Sequence, residues 1–157
     1  VDSLRQYGWA SKYAISRAGG RNSRMDEVQA AILRTLLPRL DEHNAMRRAI
    51  VARYKSAAPA GGGFVEGGDG AVAHLAVLLS PQRDRLKARL AAVGIPTMIY
   101  YPRGLHQQTA YAHMRFSDEW YPHTLAAVGR VLSLPMHPYL AKEDVDMVCE
   151  AILENLA

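Results

Sequence analysis

Ser23-Arg24-Met25-Asp26-Glu27-Val28-Gln29-Ala30-Ala31-Ile32-Leu33-Arg34-Thr35-Leu36 joins a helix-start signal to a helical apolar period. Ser23 and Asp26 have the spacing of a capping box, in which a side-chain acceptor is followed three residues later by an acid that can reach back. A helix is therefore expected from about Met25. Met25, Val28, Ile32, Thr35, Leu36 and Leu40 recur at three- and four-residue intervals, which lines one face for burial against a core. Pro38 removes a backbone donor and crowds the preceding turn, so a kink is expected there, or a second helix over about residues 38–56. Ile50, Val51 and Tyr54 carry the apolar face of that second segment.

Outward from this pair the chain changes character. Six of its twelve glycines lie between Gly61 and Gly70, with Pro59, Glu66 and Asp69, a composition that reads as a mobile surface loop. Residues 71–79, Ala-Val-Ala-His-Leu-Ala-Val-Leu-Leu, form a short apolar run bounded by turn signals and read as a buried strand. Ser80-Pro81 then opens a helix through Leu86 and Leu90, with Gly94 as its left-handed cap. Ile95 to Tyr101 reads as a second strand closed by Pro102, and Val131-Leu132-Ser133-Leu134-Pro135 as a third. A last amphipathic helix begins near Lys142-Glu143-Asp144, whose acids suit a helix N-terminus, with Val145, Val148, Ile152 and Leu156 as its stripe. Helices packed on a small sheet make an α/β layer.

Composition narrows the possibilities. The chain has 157 residues, 49% hydrophobic and 22% charged, as expected of one folded domain or one core with an appended arm, which excludes disordered and fibrous classes. No run of eighteen apolar residues occurs, so no transmembrane helix is expected, and the first residues lack the pattern of a secretion signal. One cysteine, Cys149, permits no internal disulfide and points to a reducing compartment, read as the cytoplasm. Charge is uneven: residues 1–57 hold 11 Lys or Arg against 5 acids, the remainder 8 against 10, so the front segment is the one to attract phosphate. Six histidines without a His-Glu-x-x-His pattern, beside a single cysteine, give no metal site.

The stretch from Gly20 to Leu33, Gly-Arg-Asn-Ser-Arg-Met-Asp-Glu-Val-Gln-Ala-Ala-Ile-Leu, closely resembles the helix-opening signature of the DegT/StrS-type nucleotide-sugar aminotransferases. These are pyridoxal-phosphate enzymes of the aspartate aminotransferase fold. Collinear blocks agree with it: Arg48 to Tyr54, His74-Leu75, Arg83-Asp84, Gly94-Ile95-Pro96-Thr97, Tyr101-Pro102, Leu105-His106-Gln107-Gln108 with Ala110-Tyr111, and Leu132 to Leu140. The resemblance covers nearly the whole chain and implies the C-terminal half of that fold: a long kinked helix pair, then a small sheet with packed helices. On it, residues 1–58 are the end of a large domain with its linking helices, 59–70 a Gly-rich loop and 71–157 a small α/β domain.

The same resemblance implies site roles. Asn22 matches a residue that reaches the cofactor phosphate of a neighbouring subunit, and Arg24 one that lies near the substrate or its anionic group. A helix N-terminus beside an arginine fork suits an anion, although Asn22 and Ser23 as plain caps with a solvated Arg24 is the bland alternative. Tyr100 stands where many relatives have histidine in a His-Tyr-Pro segment close to the nucleotide sugar. A phenol can donate to a phosphate or sugar oxygen but cannot carry an imidazolium charge, and a packed strand tyrosine is equally compatible. His106 sits in a matching block with an implied substrate contact or a structural role. His74 reads as a core-edge histidine, and Leu125, where many relatives have an acid, alters either substrate contact or packing.

No residue of the chain is assigned a catalytic role, because the family's cofactor-binding lysine belongs to a large domain upstream. That lysine must be desolvated or sit beside another cation to be nucleophilic, and none of Lys12, Lys55, Lys87 and Lys142 lies in such a context. The expectation is thus part of a homodimeric transaminase that moves an amino group from glutamate to a nucleotide-linked keto sugar for polysaccharide, glycan or antibiotic sugar synthesis, this part being inactive alone. A non-catalytic short paralogue or partner subunit supplying Asn22 and Arg24 in trans is the alternative, and the non-Met start is expected of a fragment. Nucleic-acid binding is prompted only by a pI near 9.4, with no aromatic interleaving or motif to support it.

Overall fold

The computed structural model describes residues 1–58, 63–68 and 70–156. The chain forms two compact units, Val1–Asp41 and Glu42–Ala157.

The first unit opens with a single helical turn, α1 (Asp2–Arg5), followed by a hairpin of β1 (Trp9–Ser11) and β2 (Ala14–Ile15). Residues 21–23 are strapped back onto the start of the chain: Tyr7 N donates to Arg21 O, Arg21 N to Leu4 O and Ser23 N to Arg5 O. This strap corrects the expected capping box. Ser23 is held in extended pairing, so the helix α2 starts later, at Glu27, with Asp26 as its N-cap and no side-chain cap hydrogen bond, and runs to Leu36. The apolar stripe on α2 forms as the period dictates, but among the described residues it is not buried: Val28, Ile32 and Leu36 are all at least half exposed. Pro38 lies in a 3-10 turn, Leu37–Arg39, that separates α2 from α3 (Leu40–Ala57), as the missing donor requires.

In the second unit, α3 contributes Ile50, Tyr54 and Ala57 to the core. The sheet is antiparallel, in the order β3 (Gly63–Phe64), β4 (Ala76–Leu79), β5 (Val131–Leu134). Its register sets Ala76 opposite Leu134, Val77 opposite Ser133 and Leu78 opposite Leu132. Because strand side chains alternate, Ala76, Leu78, Leu132 and Leu134 point into the core, while Val77, Ser133 and Val131 face the other way. Leu86 and Leu90 of α4 (Arg83–Ala92) and Val145, Val148 and Ile152 of α6 (Lys142–Leu156) close the core. The remaining helix, α5 (Pro122–Val128), precedes β5 and carries the half-buried Leu125.

Several expectations hold and several are corrected. Gly94, at φ +79°, caps α4 in the left-handed region, and Ile95 N returns to Leu90 O. Ser80 acts at the head of that helix by accepting from Gln82 N, but the helix begins beyond Pro81. The strand expected over residues 71–79 starts only at Ala76, since Ala73 sits at φ +52° and breaks the extended run. The expected strand over Ile95–Tyr101 shrinks to one bridge, Met98 with Ser133, because Pro96 has no N–H and Pro102 ends the pairing. His74 is exposed, not at the core edge. Of the expected mobile loop, residues 59–62 and 69 lie outside the described residues, and residues 63–64 pair with β4.

Candidate functional site

The first unit places Asn22 and Arg24 together. The main-chain strap fixes Asn22 as the bridge partner of Gln6, and Arg24 Nε donates to Asn22 Oδ1 at 3.1 Å. Because the guanidinium N–H donates, the atom it meets is the amide oxygen, which leaves the amide NH2 available as a donor. Both side chains are exposed. Together they offer an anion several N–H donors on a stretch of backbone held by hydrogen bonds.

The second unit contains a cavity of about 630 Å³ on the face of the sheet opposite the core. Val77, Val131 and Ser133 form its floor, the segment from Met98 to Leu105 one wall and α5 the other. Tyr100 lines it and is half exposed. Ser133 is a polar side chain in the floor and is 93% buried, with 7% of its surface exposed. Arg103 is the one lysine or arginine in the lining, and its guanidinium makes no ion pair or hydrogen bond among the described residues.

His106 lies behind this wall. Its side chain is 6% exposed and lines an adjoining hollow of about 390 Å³ with Tyr111, Phe116 and Tyr121. The ring stacks on Tyr121 with centroids 4.5 Å apart, and Nε2 is 2.9 Å from Asp118 Oδ1. Asp118 also accepts from Gln107 Nε2 at 3.1 and 3.2 Å. Tyr100 and His106 thus belong to neighbouring hollows that share Leu105 and Thr124. Arg103, Asp118 and Ser133 were missed from sequence. A lone cation beside Tyr100-Tyr101-Pro102 was the available signal for Arg103, whereas nothing in the spacing ties Asp118 to His106.

The four lysines are all exposed. Lys55 pairs with Glu66 at 2.7 Å, and Lys12 stands 5.3 Å from the centre of the Tyr13 ring. No group of three or more His, Cys, Asp or Glu able to hold a metal occurs among the described residues, and no described helix is long and apolar enough to cross a membrane.

Comparison with known proteins places this geometry. The family model of the DegT/DnrJ/EryC1/StrS aminotransferase family matches residues 1–153. A dTDP-3-amino-3,4,6-trideoxy-alpha-D-glucose transaminase of Micromonospora megalomicea subsp. nigra is 37% identical across 96% of the chain and 42% of its own length. Among solved structures, S. venezuelae DesV in complex with a ketimine intermediate superposes with a TM-score of 0.89 at 36% identity, over 97% of this chain and 42% of that one. NtdA from Bacillus subtilis, with bound cofactor PMP, superposes with a TM-score of 0.83 at 25% identity, over 98% of this chain and 38% of that one. The chain spans about two-fifths of the length of the curated relatives it matches. The aspartate aminotransferase-type fold expected from the resemblance is therefore the fold observed, and the sheet-and-helix unit is one part of it.

Proposed function

The chain belongs to the DegT/DnrJ/EryC1/StrS aminotransferase family, and from that premise we propose that it is the C-terminal portion of a pyridoxal-phosphate-dependent enzyme. The proposed reaction transfers an amino group from glutamate to a nucleotide-linked keto sugar, in a cytoplasmic homodimer. The observation that carries the reading is the collinear match over residues 1–153 together with an exposed, pre-positioned Asn22–Arg24 donor pair.

The residues present fit one end of the cofactor. Asn22 offers its amide NH2 to the cofactor phosphate of a neighbouring subunit, and Arg24, bonded to the amide oxygen, offers its remaining guanidinium nitrogens to an anion beside it. The lysine that binds the carbonyl end lies, on this reading, outside these 157 residues: such a lysine needs a desolvated site or a neighbouring cation to be nucleophilic, and Lys12, Lys55, Lys87 and Lys142 are all exposed. When bound, the cofactor supplies the electron sink for exchange of the amino group. The chain's own part is binding and orientation: Asn22 holds the phosphate, Arg24 the anionic group of a substrate, and Tyr100 donates its hydroxyl to a sugar or phosphate oxygen. His106 supports the wall on which the sugar nucleotide rests.

The test is cofactor retention by the full-length protein. Replacing the four lysines one at a time should leave the bound-cofactor absorbance intact, while Asn22→Ala should release cofactor on dialysis several-fold more readily. Loss of the absorbance on replacing any one of the four would place the lysine inside this segment and overturn the assignment.

A further inference from the structure

The segment Arg103-Gly104-Leu105 is held more tightly than a surface loop needs to be. Gln107 grips the Gly104 peptide from both sides: its Oε1 accepts from Gly104 N at 3.1 Å, and its own N donates to Gly104 O at 3.0 Å. Gly104 packs directly on the imidazole of His106, where a Cβ would stand 2.6 Å from Cε1 and 3.0 Å from Thr124 Cγ2. Both Gln107 and His106 are in turn fixed by one carboxylate, that of Asp118, which takes three short contacts from them. This network fixes the backbone of the residue that follows Arg103. The Arg103 side chain, by contrast, has no partner among the described residues and borders a cavity that is otherwise apolar apart from a few neutral polar groups and His123.

A fixed backbone, an unpartnered guanidinium and an apolar cavity with one buried hydroxyl in its floor suit a ligand with a planar body and an anionic tail. Resting on the nucleotide-sugar reading above, we propose that Arg103 reads the diphosphate of the nucleotide while the base enters the cavity over Ser133, and that Asp118 is the positioning residue that holds Arg103 there through Gln107, His106 and Gly104. A guanidinium can meet a phosphate with two parallel N–H bonds, a geometry that rewards a fixed backbone.

The experiment measures binding to the full-length, cofactor-loaded protein, with thymidine diphosphate and uridine diphosphate as anionic probes and the free nucleosides as neutral ones. Arg103→Met should weaken diphosphate binding roughly ten- to a hundredfold, in line with loss of a charged hydrogen-bond pair, and leave nucleoside binding unchanged. Arg103→Lys should fall between. Asp118→Ala should reproduce the selective loss for the diphosphate, and Asp118→Asn, which retains an acceptor for His106 or Gln107, should restore part of it. If Arg103→Met binds the diphosphates as tightly as the parent protein, the proposal fails while the family reading stands. If the Asp118 variants lose nucleoside and diphosphate binding equally, Asp118 is merely structural and its positioning role is overturned. If the parent protein binds neither diphosphate, the nucleotide reading fails and this proposal with it.

Discussion

Tyr54→Phe should change the stability of the second unit in a way that reverses with pH. Tyr54 is fully buried in α3, and its hydroxyl donates to Pro135 O at 3.1 Å, tying the helix to the chain beyond β5. Burial pushes the phenol up to about 12, with smaller contributions from Cys149 and Asp144. At neutral pH the variant loses one buried hydrogen bond and leaves the carbonyl of Pro135 without that partner, a cost of about 1.5 kcal/mol. In the unfolded chain a tyrosine ionises near pH 10. The raised value in the folded state therefore means that stability is fully present below pH 10 and is lost as the pH rises to about 12, up to about 3 kcal/mol in all. Phenylalanine has no such loss. The two stability curves should cross near pH 11, where the parent has lost about 1.4 kcal/mol, the other titrations being common to both proteins. Urea unfolding of parent and variant at pH 8, 10, 11 and 11.5 makes the comparison. A stability difference that stays constant across that range would refute the burial and hydrogen-bond argument together.

Further outcomes follow from other parts of the structure. Gly8 sits at φ +75°, and a Cβ there would collide with the carbonyl of Arg17, so Gly8→Ala should cost about 2 kcal/mol or more through strain and clash; hydrogen exchange of residues 3–23 should rise sharply, whereas Gly19→Ala, at φ +79° with open space around its Cβ, should show the left-handed strain alone, about 1 kcal/mol. Cys149 is 1% exposed and burial pushes its thiol up, so a thiol reagent should modify it only as the protein unfolds, and rapid modification under native conditions would contradict the placement. The exposed stripe of Val28, Ile32 and Leu36 should drive self-association; replacing Ile32 and Leu36 together by Glu should lower the sedimentation mass, and an unchanged mass would exclude α2 as the contact.

What could be read in advance depended on how local the determining physics is. Helix α6 and the α4–Gly94 cap declare themselves through apolar period and a left-handed glycine, and the Pro38 break follows from one missing donor. Non-local hydrogen bonding decided the rest. Ser23 looks like a cap until its N–H is seen to donate to Arg5 O, and the run over Ile95–Tyr101 looks like a strand until Pro96 limits it to one bridge. Strand β3, two residues beside glycines, carries no pattern at all. At the site, Tyr100 was legible only through its neighbouring motif. The union of His106 and Gln107 on Asp118 depends on how three 3-10 turns fold onto one another, which no spacing announces.

The measurement that most directly tests the account is amino transfer by the full-length protein supplied with pyridoxal phosphate, glutamate and a dTDP- or UDP-linked keto sugar, read by mass spectrometry of the sugar nucleotide. The account predicts replacement of the keto oxygen by an amine, with 2-oxoglutarate formed in equal amount. An unchanged sugar nucleotide across the dTDP- and UDP-linked series, together with no cofactor absorbance, would contradict it.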